Sequence, residues 1–253
     1  MNIEICLDNL ESVDVVAKFP EITRLEICSA LSLDGLTPAP YLVQYAKEKS
    51  MAYRHTMIRP RAGDLCYNEA EIKMMAQEIK LMHESGANGV VIGVLDVNSH
   101  INIAATRYLT DLAKSYQLEV TFHRAIDMVP DYLASVQICV DLGINRILTS
   151  GGQKKAFMGL DDIAKVVQKY HGQIEIMAGG GVNKDNIPHF KKVGVDAVHF
   201  SAASNKSNVK GESVFSKSSL SYNVTNEDIV KENIAAISPS HPITQKYQKL
   251  LQP

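Results

Sequence analysis

Eight short strand-like runs, rich in β-branched residues, alternate with amphipathic runs along most of this chain. That alternation constrains the fold more than any other feature. The strand-like runs are Asn2–Leu7, Arg24–Ser29, Tyr53–Arg59, Gly89–Val94, Glu119–Arg124, Arg146–Ser150, Ile174–Gly179 and Ala197–Ser201. Between them, helical periodicity predicts helices over Leu10–Lys18, Pro40–Lys49, Glu69–Ser85, Ile101–Tyr116, Pro130–Leu142, Leu160–His171 and Asn183–Val193. Strict alternation calls for a parallel sheet, and eight repeats call for closure. The expected fold is α/β, a single-domain (β/α)8 TIM-type barrel with a C-terminal extension. An open doubly wound sheet would usually carry a Gly-x-Gly-x-x-Gly turn after its first strand, where Asp8-Asn9-Leu10 stands instead. Beyond the eighth strand, the Ser-, Asn- and Lys-rich stretch 203–223 reads as a long loop. Asn226–Ile237 reads as an eighth helix capped by Asn226 or Thr225. The barrel is therefore expected over 1–237, with 238–253 as a tail.

Composition narrows the function classes. A net charge of −2 over 253 residues gives no reason to expect nucleic acid or an anionic membrane as partner. No apolar run approaches the roughly 18–20 residues that span a bilayer. No basic-then-apolar leader precedes the first strand, so no signal peptide is expected and the location reads as cytoplasmic. Four cysteines in that setting are reduced thiols.

Strand alternation assigns faces. The helix-facing side must be apolar, so Ile3, Ile5, Leu7, Leu25, Ile27, Val120, Phe122, Val198 and Phe200 point outward. Glu4, Cys6, Glu26, Cys28, Thr121, His123, Ala197 and His199 then point inward, and His55, Met57 and Arg59 follow if Arg59 does. A barrel centre is normally filled by branched apolar side chains, and buried carboxylates are costly unless paired or coordinated. Polar groups late in their strands, where barrel enzymes place their sites, argue for a site. Glu4, Glu26 and His123 are candidate acid/base groups. The competing reading is a structural ion-pair network in which Arg59 or Arg61 neutralises the glutamates.

Three motifs extend this set. In Met57–Asp64, Arg59 and Arg61 flank a proline on a stiffened loop, suited to a carboxylate or phosphate, or equally to clamping Glu4, Glu26 and Asp64. Gly179, Gly180 and Gly181 follow the seventh strand, where backbone N–H groups of barrels often meet anions. Arg124, beyond His123, is expected to point away from the interior, towards Asp127 or a helix terminus. Cys6 and Cys28 lie on adjacent strands and are candidate ligands for a soft ion such as Cu(I). Barrel shear staggers inward residues, so the two thiols need not be level, and they also fit as small buried hydrophobes. Cys66 and Cys139 receive no role.

The blocks EIC (twice), MIRPRAGDLCY, GANGVVIGVL, TFHRAIDM, RILTSGG, MAGGGV and VHFSA resemble, in order, those of the CutC copper homeostasis family over about residues 2–202. The resemblance implies a (β/α)8 barrel, a cytoplasmic location, a link to copper tolerance and a homodimer or higher homo-oligomer. It also implies Cu(I) binding through strand-end cysteines, which correspond here to Cys6 and Cys28. The chain departs from the family pattern at Ala62, Leu65, Asn88 and Ile126, none of which is a candidate site residue. The polar interior is richer than a Cu(I) carrier needs. The alternative expectation is therefore a barrel enzyme acting on a small anionic or phosphorylated metabolite, with the metal ion or the anion as its small-molecule partner.

Overall fold

The computed structural model describes residues 1–210 and 220–237. Parallel strands β1 (Asn2–Leu7), β2 (Arg24–Ile27), β3 (Tyr53–Met57), β4 (Gly89–Ile92), β5 (Glu119–Phe122), β6 (Arg146–Thr149), β7 (Glu175–Gly179) and β8 (Ala197–Phe200) follow one another around a closed barrel. β8 pairs with β1, placing Glu4 beside His199. Every strand begins within one residue of its expected start. Most end one or two residues early, where the chain turns into the loops of the mouth.

The outer ring is α1 (Leu10–Val16), α2 (Pro40–Lys49), α3 (Glu69–Glu84), α4 (Ile103–Ser115), α5 (Tyr132–Asp141), α6 (Leu160–Tyr170), α7 (Ile187–Val193) and α8 (Glu227–Ile237). Short polar side chains fix where several of them start. Asn9, Asn102 and Asp131 each accept a hydrogen bond from the first turn of their helix, and Asn68 forms a reciprocal box with Glu71. The outward strand residues Ile5, Leu7, Leu25, Ile27, Val120, Phe122 and Val198 are fully buried under these helices in one continuous core. Alternation therefore leaves the opposite face of each strand to the barrel interior.

The C-terminal region corrects one expectation. The stretch read as a loop over 203–223 contains one strand, β9 (Ala203–Lys206), and the first two residues of a second, β10 (Tyr222–Thr225), paired antiparallel. The pair is held against α1. Thr225 N donates to Ser12 Oγ at 2.9 Å, Asn9 Nδ2 donates to Asn223 O at 3.0 Å, and Lys206 pairs with Glu11. The β-branched pair Val224-Thr225, just beyond the Ser- and Asn-rich stretch, is buried on α1 and anchors the strand. Asn226 then caps α8, whose residues Val230, Asn233 and Ala236 turn inward. The rest of the expected loop, 211–219, and the expected tail, 238–253, lie outside the described residues.

Candidate functional site

The N-terminal end of the interior is an ion network. Arg24, only 5% exposed, donates from Nε to Glu4 and from Nη2 to Glu175 at 2.9 Å. Arg146 reaches Glu175 as well, and donates to Glu119 at 3.1 Å and Thr121 at 3.0 Å. His55 lies 3.4 Å from Glu119. The approach of His55 and the hydrogen bond from Arg146 hold the Glu119 carboxyl down at about 2. The glutamate partner expected of Arg59 or Arg61 is thus Arg24. Arg59 instead donates to the carbonyls of Leu33, Gly35 and Gly63 at 2.7–3.0 Å, stapling two mouth loops together. Arg61 is committed to Glu71 and Asp64 on the outside of the barrel.

The C-terminal end is different. The register pairs Cys6 with Glu26, and Glu4 with both Arg24 and His199. Cys6 Sγ, a Glu26 carboxylate oxygen and a His199 ring nitrogen consequently lie within 4.8 Å of one another. Glu4 sits beneath them, fully buried, and its Oε1 is 2.7 Å from His199 Nδ1. Burial alone would raise the Glu4 carboxyl, but the His199 hydrogen bond and the Arg24 charge outweigh it and hold it well below the ordinary range. Glu4 is therefore held towards its charged form, orients His199 and does not line the mouth.

Burial opposes charge on His199, yet Cys6, Glu26 and Glu4 raise it well above an ordinary histidine. Glu26 is 4% exposed, and its Oε1 has no hydrogen-bond partner among the described residues. Burial and the nearby Glu4 push its carboxyl up against the pull of His199. Cys28, just past the end of β2, stands two residues beyond the Glu26 that is level with Cys6, as shear requires. Its thiol donates to Glu26 Oε2 at 3.6 Å, and burial with the Glu26 charge keeps it protonated.

A cavity of about 520 Å³ opens above this cluster. Cys6, Glu26, Met57, Arg59, His123 and His199 line it. His123 Nδ1 accepts from Ala125 N at 3.1 Å, and burial next to Arg59 depresses the imidazole to about 4, so the ring is neutral. Its place depends on Gly93. A Cβ at that position would overlap the imidazole, so only glycine lets the ring stand beside β4.

A family model described as the CutC family matches residues 1–204. The chain belongs to the CutC family. The Glaesserella parasuis protein named CutC is 43% identical over 203 residues, covering 80% of this chain and 82% of that one. The Vibrio cholerae CutC is 39% identical over 202 residues, covering 79% of each. Among solved structures, CutC from Streptococcus agalactiae is similar with a TM-score of 0.74 and 31% identity, over 79% of this chain and 98% of that one. A 3-hexulose-6-phosphate synthase from Salmonella typhimurium, at 15% identity and TM-score 0.61, shares the fold.

Within this CutC barrel, the structure gathers Cys6, Glu26 and His123 around one cavity and sets Cys28 behind Glu26. Gly180 and Gly181 line a neighbouring cavity, away from Arg59 and Arg61. His199 was legible as inward but carried no role in the sequence, and Arg24 was missed. Its signal was available, because it lies two residues before Glu26 on the same face. Arg124 does bind Asp127, at 2.9 Å, as expected, but it also lines both cavities. Strand alternation ends at Phe122 and a 3-10 turn over Arg124–Asp127 swings the side chain to the mouth.

Proposed function

We propose that the mouth of this barrel binds a thiophilic metal ion as cargo, with copper the ion in question and the cytoplasm its setting. The carrying observation is the convergence of Cys6, Glu26 and His199 within 4.8 Å. A thiolate and an imidazole suit copper. Glu4 on His199 Nδ1 is the outer partner that metal-binding histidines usually have, leaving Nε2 towards the cluster. The unpartnered Glu26 Oε1 is an acceptor that a cation would satisfy. Cys28 stands one hydrogen bond away as a second sulfur. The similar protein from Streptococcus agalactiae is described as a candidate copper homeostasis protein, which favours copper over other ions. Competition for Cu(I) against a chelator of known affinity tests this. Cys6→Ser is expected to lose high-affinity binding and Cys28→Ser to retain part of it. Equal binding by the wild type and the double cysteine variant removes the reading.

The size of the cavity favours a second reading. About 520 Å³ is room for a small molecule, far more than an ion occupies. A charged His199 is a proton donor, the free Glu26 Oε1 an acceptor, and a neutral His123, its Nδ1 taken by the Ala125 N–H, offers Nε2–H to a substrate oxygen. In this reading the barrel carries out acid/base chemistry on a small metabolite. Turnover in a metabolite screen followed by NMR, lost in His123→Ala, tests it; no turnover of any metabolite in the screen counts against it.

A further inference from the structure

A second cavity, of about 380 Å³, lies between the loops after β7 and β8 and helix α8. Cys6, Arg124 and His199 line both cavities, so the two meet around those side chains. Their chemistry differs. Glu26, Asp34 and Asp127 line the first, whereas among the described residues no carboxylate lines the second.

The wall of the second cavity carries hydrogen-bond donors among apolar side chains such as Phe200, Ala202 and Ile229. Gly180 and Gly181 have φ of 103° and 74°, a left-handed turn that favours glycine. Among the described residues, no acceptor meets the N–H groups of Gly181, Val182 or Ser201. The guanidinium of Arg124 lies close to Gly180, where an added Cβ would come within 3.2 Å of Cζ. Its Nε and Nη2 are held by Asp127 at 2.9 Å and Ser150 at 2.7 Å, while Nη1 makes no hydrogen bond among the described residues. Asp127 is itself saturated by the backbone N–H groups of Ser150 and Gly152 and by two hydroxyls, so it fixes the guanidinium in place. The Lys155 side chain passes over Gly181.

Helix α8 adds Asn233 to this wall. The residue is 2% exposed. Its amide makes no hydrogen bond among the described residues. Lying between the apolar Val230 and Ala236, Asn233 sets one polar side chain of α8 in the wall of the cavity. Several N–H donors, one fixed guanidinium and no carboxylate select an anion with many acceptor oxygens.

We propose that this second cavity is the subsite for a phosphate monoester, the anionic end of a small ligand whose other end reaches Cys6, Glu26 and His199. The proposal deepens the small-molecule reading of the mouth, but its test reads binding and not turnover. The probes are inorganic phosphate, glycerol 3-phosphate and glycerol, titrated into the full chain by calorimetry and by phosphorus NMR. The expected result is one saturable site for both phosphates, tighter for glycerol 3-phosphate, and none for glycerol. Asn233→Asp and Arg124→Gln each weaken it about tenfold, the value of one charge-assisted hydrogen bond. Ser201→Glu, at a half-buried rim position, must weaken it as well and serves if the Asn233 variant does not fold. Copper binding by Asn233→Asp stays at the wild-type level, so loss of the metal reading and loss of this one are separable. Absence of saturation by about 50 mM of either phosphate, well beyond any useful affinity, overturns the proposal. So does equal binding by the wild type, Arg124→Gln and Ser201→Glu.

Discussion

The two ends of the barrel interior hold the same kinds of side chain and treat them in opposite ways. At the N-terminal end, Arg24 and Arg146 share Glu175, and each has a further carboxylate of its own, Glu4 or Glu119. At the C-terminal end, Glu26 faces His199 at 3.7 Å and leaves Oε1 without a partner, beside an open cavity. Glu4 belongs to both, taking Arg24 on one side and His199 on the other. Burying charge is tolerable only when its partners are supplied. The closed end supplies them from the chain and works as structure. The open end leaves a place for a partner from outside.

Breaking the closed end therefore has the largest expected effect on stability. Glu175→Gln removes the charge that two nearly buried guanidiniums share, and is expected to cost about 3 kcal/mol in denaturant unfolding. A loss below about 0.5 kcal/mol, the size of an ordinary surface substitution, would mean that the network contributes nothing specific.

A smaller effect comes from pH. The folded-state Glu119 carboxyl is at about 2, below its ordinary 4.5. Its contribution is complete above 4.5 and is lost as pH falls towards 2. Because Glu119 is half exposed, that contribution is expected to stay under about 1 kcal/mol. Unfolding midpoints of the wild type and Glu119→Gln should differ at pH 6 and converge towards pH 2. A gap unchanged across that range would show that charge is not its origin.

The contrast between the two ends also explains what the sequence could and could not disclose. Barrel closure was legible because it rests on periodicity, which local sequence carries. The inward set Glu4, Cys6, Glu26 and His123 was legible because alternation is strict within a strand. Who pairs with whom was not. Partnership depends on register and shear between strands, which brought Cys6 level with Glu26 and left Cys28 two residues beyond. Side chains beyond the strand ends were the least legible. Arg59 and Arg124 look alike as loop arginines, yet one binds three carbonyls and the other a carboxylate, a hydroxyl and the wall of the second cavity. Asn233 had no signal at all, since one polar residue on the inner face of an amphipathic helix is unremarkable until the space before it is known.

The smallest expected change in stability belongs to Glu26→Gln, and it is the one that separates the two ends. The substitution keeps shape and removes a charge that the chain does not fully compensate. Relieving an under-paired buried charge is neutral or stabilising, so the midpoint should move by no more than about 0.5 kcal/mol, or rise. The same variant should bind Cu(I) more weakly than the wild type, because the acceptor offered to the cation is halved. Stability held while binding falls is the signature of a residue kept for a ligand. If Glu26→Gln instead unfolds as readily as Glu175→Gln and binds copper unchanged, then Glu26 is one more strut of the ion network, and the open end differs from the closed one only in its exposure to solvent.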